Sequence, residues 1–142
     1  MHIQIDTRVM HSIINQFSRE VSRHYDSFFG DYNLATSYVE LLIYMDEEQE
    51  ATQKMIADKL NLAPSTITRF IAKLEKMGFV EKSRDGKEMS VKISTNRQKD
   101  VERLKKLYAK ADKELERVVG EKFMETTSKL LEYGVEQFNI KK

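Results

Sequence analysis

The spacing of apolar residues leaves helical period only once along this chain, and that single departure constrains the fold more than any other feature. From Ile3 to Phe29, the residues Val9, Ile13, Ile14, Phe17, Val21, Tyr25 and Phe28 recur at steps of three and four, which predicts a long amphipathic helix. Gly30, Asp31 and Asn33 break it, and Tyr38, Leu41, Leu42 and Met45 predict a second, more apolar helix that ends at the acidic run 46–50, expected to be a solvated loop. Within residues 79–94 the step shortens to two: Met89, Val91 and Ile93 alternate with Ser90, Lys92 and Ser94, and Asp85-Gly86 is a strong hairpin-turn dipeptide. Two short antiparallel strands are expected there. Helical spacing then returns in Val101, Leu104, Tyr108, Ala111, Leu115 and Val118, with Ser94 or Thr95 as cap and Gly120 as stop. A last helix carries Phe123, Met124, Thr127, Leu130, Leu131, Val135 and Phe138. The two terminal helices are apolar along stripes that one small domain cannot cover, so they call for a partner.

Between the second helix and the alternating stretch lies the chain's one proline. Thr52 can cap a short helix through Leu60, Asn61 and Leu62 make a tight turn, and Pro64 occupies a first helical position, where its missing N–H costs nothing. In the helix that follows, Ile67, Phe70, Ile71 and Leu74 share one face, while Ser65, Thr68, Arg69 and Lys73 gather on the other until Gly78 ends it. Short hydroxyls near a helix start can donate to phosphates or base edges, and arginine can pair bidentately with guanine. Ser65 and Thr66 can equally serve to satisfy the free N–H groups of their own helix. Charge favours the outward use. Residues 52–98 hold 10 Lys/Arg against 5 Asp/Glu, whereas residues 1–51 hold 3 against 9 and residues 99–142 hold 11 against 9. A positive middle between less basic flanks is what a phosphate-facing surface requires.

Other chemistries find little support. The absence of cysteine removes disulfides, thiolate nucleophiles and Cys-type zinc sites. No nucleophile, base and acid are arranged together, and no Gly-rich phosphate loop occurs, so an enzyme is not expected and no cofactor is implied. Glu20 and His24 stand four apart and could hold half a metal site, but no second cluster completes it; a surface pair is the simpler reading and no metal is expected. Met55, Met77 and Met89 most simply fill gaps between helices and hairpin rather than sense oxidants. The amino-terminal MHIQIDTRVM lacks a signal-peptide apolar stretch and no run approaches the roughly 18 apolar residues of a membrane span, so a cytoplasmic protein without membrane contact is expected. With 142 residues the chain is close to the roughly 150 of one domain.

Helix, tight turn, helix and two-stranded hairpin is the order of a winged helix-turn-helix. The segment IADKLNLAPSTITRFIAKLEKMGFVEKSRDGKEMSVKIS resembles the MarR family of transcription regulators, most clearly at Ala57 and Leu60, at Ser65-Thr66 and Arg69, at Leu74-Glu75-Lys76 before Gly78, and in the hairpin that follows. The resemblance implies a mainly α fold with a small β-hairpin wing, in which residues 1–142 form one MarR-type domain. Residues 34–98 would be the winged-helix DNA-binding region, and residues 1–33 and 99–142 the dimerisation helices. It further implies a homodimer on a palindromic double-stranded DNA operator, acting as a ligand-responsive repressor. The DNA contacts would come from Ser65, Thr66, Thr68, Arg69 and Lys73, with Arg84 and Lys87 on the wing.

This chain departs from the family pattern at several positions. Asp85-Gly86-Lys87 stands where the family has Asp-x-Arg, and lysine lacks the planar fork that suits a narrow minor groove. Ile93-Ser94 replaces Leu-Thr, Arg97 replaces a glycine, and Ala63 occupies a position where a capping Ser or Asp is common. Family members often respond to small anionic or phenolic compounds in a crevice between dimer helices and winged region. Here His11, Asn15, Tyr38 and Tyr44 are the polar candidates, although a tyrosine on an apolar helix is more often a core residue with a satisfied hydroxyl. The competing reading is a winged-helix module that docks a protein partner without sequence-specific DNA binding.

Overall fold

A computed structural model describes residues 4–85 and 88–140. Its elements run α1 (Gln4–Asp26), a 3-10 turn (Gly30–Tyr32), α2 (Thr36–Glu48), β1 (Ala51–Thr52), α3 (Gln53–Leu60), α4 (Pro64–Lys76), β2 (Val80–Asp85), β3 (Glu88–Ile93), a second 3-10 turn (Thr95–Arg97), α5 (Gln98–Val119) and α6 (Glu121–Ile140). The fold is mainly α with a small antiparallel sheet in the order β1-β3-β2. No helix among the described residues is long and apolar enough to cross a membrane.

The core sits in the middle of the chain. Val39, Leu41, Leu42 and Met45 of α2 are buried together with Ile56 of α3, Ile67, Ile71 and Leu74 of α4, Phe79, Val91, and Val101 and Leu104 of α5. Burial of these apolar groups fixes the rotation of each helix about its axis, because only one stripe of each is apolar enough to face inward. The hairpin pairs Val80 with Ile93 through Asp85 with Glu88, and Val91 is thereby turned into the core. The third strand lay outside the sequence reading: β1 is two residues long, too short for a period, and it exists because Ala51 and Thr52 pair with Val91 and Ser90.

Two local expectations change. Residues 46–48 are not a solvated loop but the last turn of α2, and Asp46 is directed at α5, where Lys105 Nζ donates to Oδ2 at 2.7 Å and Gln98 Nε2 donates to Oδ1 at 2.7 Å. Neither Ser94 nor Thr95 caps α5 with its side chain. The helix starts one turn later, after the 3-10 turn, and Arg97 organises its entry: its guanidinium donates to Asp100 Oδ2 at 3.0 Å and to the Met77 carbonyl at 2.9 Å while lying 4.2 Å above the Phe79 ring. Arg97 thus fastens the end of α4, the base of the hairpin and the start of α5 to one another. Thr52 does cap α3, accepting from Met55 N at 3.1 Å. The start of α2 is served from a distance, since the Asp26 carboxylate accepts from Thr36 N at 2.8 Å and from Thr36 Oγ1 at 2.6 Å.

His24 and Glu20 do not converge. The His24 Nε2–H donates to the Ala111 carbonyl at 2.8 Å and ties α1 to α5, and Glu20 pairs with Arg23. The aromatic neighbours Tyr25 and Tyr108 lie 5.1 Å apart between the same helices.

Burial alone would raise the Asp46 carboxyl, but the hydrogen bonds from Lys105 and Gln98 and the lysine's charge hold it below the ordinary carboxylate range. A depressed folded-state value stabilises the fold above the unfolded value of about 3.9, and that contribution is lost as pH falls through the folded value. The variant Asp46→Asn is therefore expected to show a smaller fall in melting temperature than the unaltered protein between pH 6 and pH 3, and an equal fall would show that the tie is energetically silent.

Candidate nucleic-acid interface

The α3–α4 pair owes its geometry to three local features. Asn61 adopts a left-handed conformation (φ 54°), where a short polar side chain is tolerated, and Leu62 N closes the turn on the Ala57 carbonyl at 3.1 Å. Pro64 is the first residue of α4, and Ala63, in extended conformation, accepts Thr66 N at 3.0 Å and Ile67 N at 3.1 Å through its backbone carbonyl. Its side chain offers no cap. The amino end of α4 therefore keeps its positive dipole end uncompensated by any capping side chain, in the environment that favours an anion.

The face that leaves the core carries the expected residues. Ser65, Thr68, Arg69 and Lys73 are exposed, Thr66 is half-buried, and Ile67, Ile71 and Leu74 are fully buried on the opposite side. Phe70 lies between the two faces and stacks on Tyr38 of α2 with ring centroids 4.2 Å apart. Lys73 Nζ sits 4.7 Å above the Tyr38 ring and the Arg69 guanidinium 6.0 Å from the Phe70 ring. These aromatic contacts hold the long stems against the helix without neutralising their heads. Neither Arg69 nor Lys73 forms an ion pair among the described residues, whereas Lys82 lies 3.7 Å from Glu75 and Lys92 lies 3.6 Å from Glu81.

Thr68 is more constrained than its residue type suggests. Its hydroxyl lies 3.0 Å from both the Pro64 carbonyl and Gln53 Oε1, so its proton is committed inside the protein and its lone pairs face outward. Gln53, the first residue of α3, is the member of this surface that sequence reasoning missed. The signal was available: it directly follows the capping Thr52 at a second helix start beside the first.

On the wing, Arg84 pairs through its backbone with Met89. The side chain of Arg84 and the whole of Lys87 lie outside the described residues. On β3, Ser90 Oγ donates to Glu50 Oε1 at 2.8 Å and secures the strand to the short connection between α2 and β1.

The four residues expected at a ligand crevice are not brought together. His11 and Asn15 are exposed on α1, where the Asn15 amide rests 3.2 Å from His11 Nδ1. Tyr38 is committed to Phe70 and Lys73, and Tyr44 lines a cleft with Ile43, Glu47 and Lys59 that meets the crevice at Glu40 and Tyr108. The crevice between helical arms and winged region is instead lined by Tyr25, Thr36, Ser37, Glu40 and Tyr108, walled by Phe17 and Phe123, and has a volume of about 380 Å³. Within it Tyr108 Oη donates to Glu40 Oε2 at 2.7 Å and Tyr25 Oη donates to Asp112. Burial, then these carboxylate partners, push both phenols far above their ordinary range, so they stay protonated donors. Glu40 could have been singled out from sequence, as the one charge inside the apolar run YVELL.

The missing cap separates stability from anion binding at α4. Ala63→Asp is expected to stabilise the protein by about 1 kcal/mol, as good caps do, while weakening its hold on duplex DNA by setting a carboxylate where a phosphate would sit. Thermal melting and a salt-controlled binding titration read the two effects separately, and a gain in both would place the duplex elsewhere.

Comparison with known proteins agrees with this geometry. Residues 37–87 match the family model described as MarR family. An uncharacterized HTH-type transcriptional regulator of Bacillus cereus is 23% identical over 88 residues, covering 62% of this chain and 60% of that protein, so the aligned part spans less than two thirds of the relative's length. A mutant of MarR from E. coli complexed with operator DNA is similar with a TM-score of 0.80 at 16% identity, covering 92% of this chain and 96% of the other. NadR in complex with 4-hydroxyphenylacetate is similar with a TM-score of 0.76 at 14% identity, covering 94% and 99%. The matched segment contains α3, α4 and the whole of β2, the elements that build the exposed hydroxyl and arginine face, so the part of the chain that matches the MarR family model is the helix-turn-helix and the first strand of its wing.

Proposed function

We propose that this protein is a transcription regulator that binds double-stranded DNA sequence-specifically as a homodimer on a palindromic operator, and that it acts as a ligand-responsive repressor. The observation that carries the reading is the outer face of α4: an uncapped amino end, with Ser65, Thr68, Arg69 and Lys73 exposed and the two cations unpaired among the described residues. In a major groove this face sets Arg69 against guanine edges, and Ser65 and Lys73 against phosphates. Thr66 is half-buried and contributes through its backbone position in the first turn. Arg84 and Lys87 extend the contact along the wing. The similar structure of E. coli MarR with operator DNA supports this orientation of the fold towards a duplex.

Dimerisation is supported by surface that one copy leaves uncovered. On α6 Phe138 is 76% exposed, Leu130 65% and Leu131 50%, and on α1 Met10 is 68% and Ile13 52% exposed. Full burial of each such side chain is worth roughly 1.5–3 kcal/mol, so a second copy that covers these stripes gains far more than a contact between polar arms would. A two-fold dimer also sets two α4 helices to read half-sites about 34–36 Å apart. A regulator of this kind requires no catalytic step. The ligand-responsive part of the reading rests on the family resemblance, which implies an anionic or phenolic effector, and on the similarity to the NadR complex.

Selection from a random duplex library at two salt concentrations tests the reading: strongly salt-sensitive binding that enriches an inverted repeat is expected, together with a solution mass twice the 16.7 kDa of the chain. A monomer, or a duplex interaction without sequence enrichment, overturns it. On the selected site, Arg69→Ala is expected to cost about 1–3 kcal/mol and relax base preference at one position of each half-site, whereas Lys73→Ala should weaken all sequences alike and reduce the salt dependence.

A further inference from the structure

The crevice described above carries charge of the same sign as the anionic effectors that the family resemblance implies. Among the described residues that line it there is no lysine, arginine or histidine, and the one charged side chain is Glu40. The hydroxyls nearest the carboxylate are already committed: Tyr108 donates to Glu40, Tyr25 donates to Asp112, and Thr36 Oγ1 donates to Asp26, which leaves Ser22, Ser37, Thr127 and Ser128 as the hydroxyls of the lining. An anion entering here would lose its hydration, face a carboxylate and find the two phenol donors occupied, so its desolvation would go uncompensated. A cation meets the reverse. Glu40 keeps its second carboxylate oxygen for a donor, and Phe17, Tyr25, Tyr108 and Phe123 line the same space with aromatic rings, which attract a positive charge or pack on a flat ring.

Resting on the regulator reading for its consequence, we infer that the crevice between the helical arms and the winged region is a binding site for an arylalkylamine or aryl quaternary ammonium compound, held with its cationic head at Glu40 and its ring against the contacting pair Phe17 and Phe123. The crevice runs into a neighbouring apolar groove that adds Ile13 and Ile14 and shares Phe17, Val21, Ser22, Phe123, Thr127 and Leu131 with it, whereas Tyr25, Ser37, Glu40 and Tyr108 at the polar end belong to the crevice and not to that groove. The volume of about 380 Å³ admits a substituted benzene ring with a short charged arm.

Two compounds that share a 4-hydroxyphenyl ring and differ in the sign of the side chain separate the possibilities: tyramine and 4-hydroxyphenylacetate, with benzyltrimethylammonium as a second cation. Calorimetric titration of the full chain is expected to give binding of both cations at least tenfold tighter than that of the acid. Glu40→Gln, which keeps an acceptor for Tyr108, should remove the preference while leaving operator affinity unchanged, and Ser37→Lys, on the exposed side of α2, should weaken both cations independently. Equal or tighter binding of the acid overturns the charge assignment. Binding of neither cation, in protein that still holds its selected operator, overturns the inference and leaves the regulator reading intact. Cation binding lost in Glu40→Gln, in protein that selects no duplex, upholds the site and removes the regulator reading instead.

Discussion

Burial of one edge of α4 determines nearly everything else about this molecule. Ile67, Ile71 and Leu74 are fully enclosed by α2, α3 and the hairpin, and a helix with three such anchors along one stripe cannot rotate without exposing them. The opposite stripe, with its hydroxyls and cations, is therefore presented to solvent by default. The hydrophobic effect has no preference for arginine on the surface; it simply leaves Arg69 and Lys73 no other place. The same enclosure explains the short β1: once α2 and α4 are packed, the connection between α2 and α3 runs beside β3 and pairs with it for two residues.

The second organising element is α2, which packs on α1, α3, α5 and β3 and touches α4 through Tyr38. Its Tyr38 stacks on Phe70 of α4, its Glu40 accepts from Tyr108 of α5, and its Asp46 accepts from Lys105 and Gln98. Apolar packing alone would let α2 slide or turn at small cost, because the fit of Leu and Val side chains tolerates modest repacking. The polar contacts are directional, and they fix its register against α5. Arg97 does the same for the junction of α4, wing and α5, through one guanidinium that serves a carbonyl, a carboxylate and an aromatic face at once.

The elements with strong period were readable from the sequence: α1, α2, α4, α5, α6 and the hairpin all follow from apolar spacing, and Thr52 as cap and Pro64 as first helical residue follow from local chemistry. Features that depend on a distant partner were not. Asp46 looked like part of an acidic loop because its partners lie 52 and 59 residues away, and the role of Arg97 is set by Met77 and Phe79, which only the folded chain brings near. At the candidate interface the exposed face of α4 was legible from period alone, whereas the Gln53 contact to Thr68 required knowledge of how α3 and α4 cross. The crevice was the least legible part. Tyr38 and Tyr44 were reasonable choices by residue type, but side chains on one helix point in different directions every 100°, and the residues that do face the crevice come from α1, α2, α5 and α6.

Ser37 and Glu40 face the crevice, and Tyr38, between them on the same turn of α2, lies flat against the ring of Phe70. Under the regulator reading proposed above, an occupant of the crevice and the helix offered to DNA would lie on opposite sides of the same turn of α2. A rotation of that turn would then pass to α4 through the stacked rings of Tyr38 and Phe70, with no chain of relays between them.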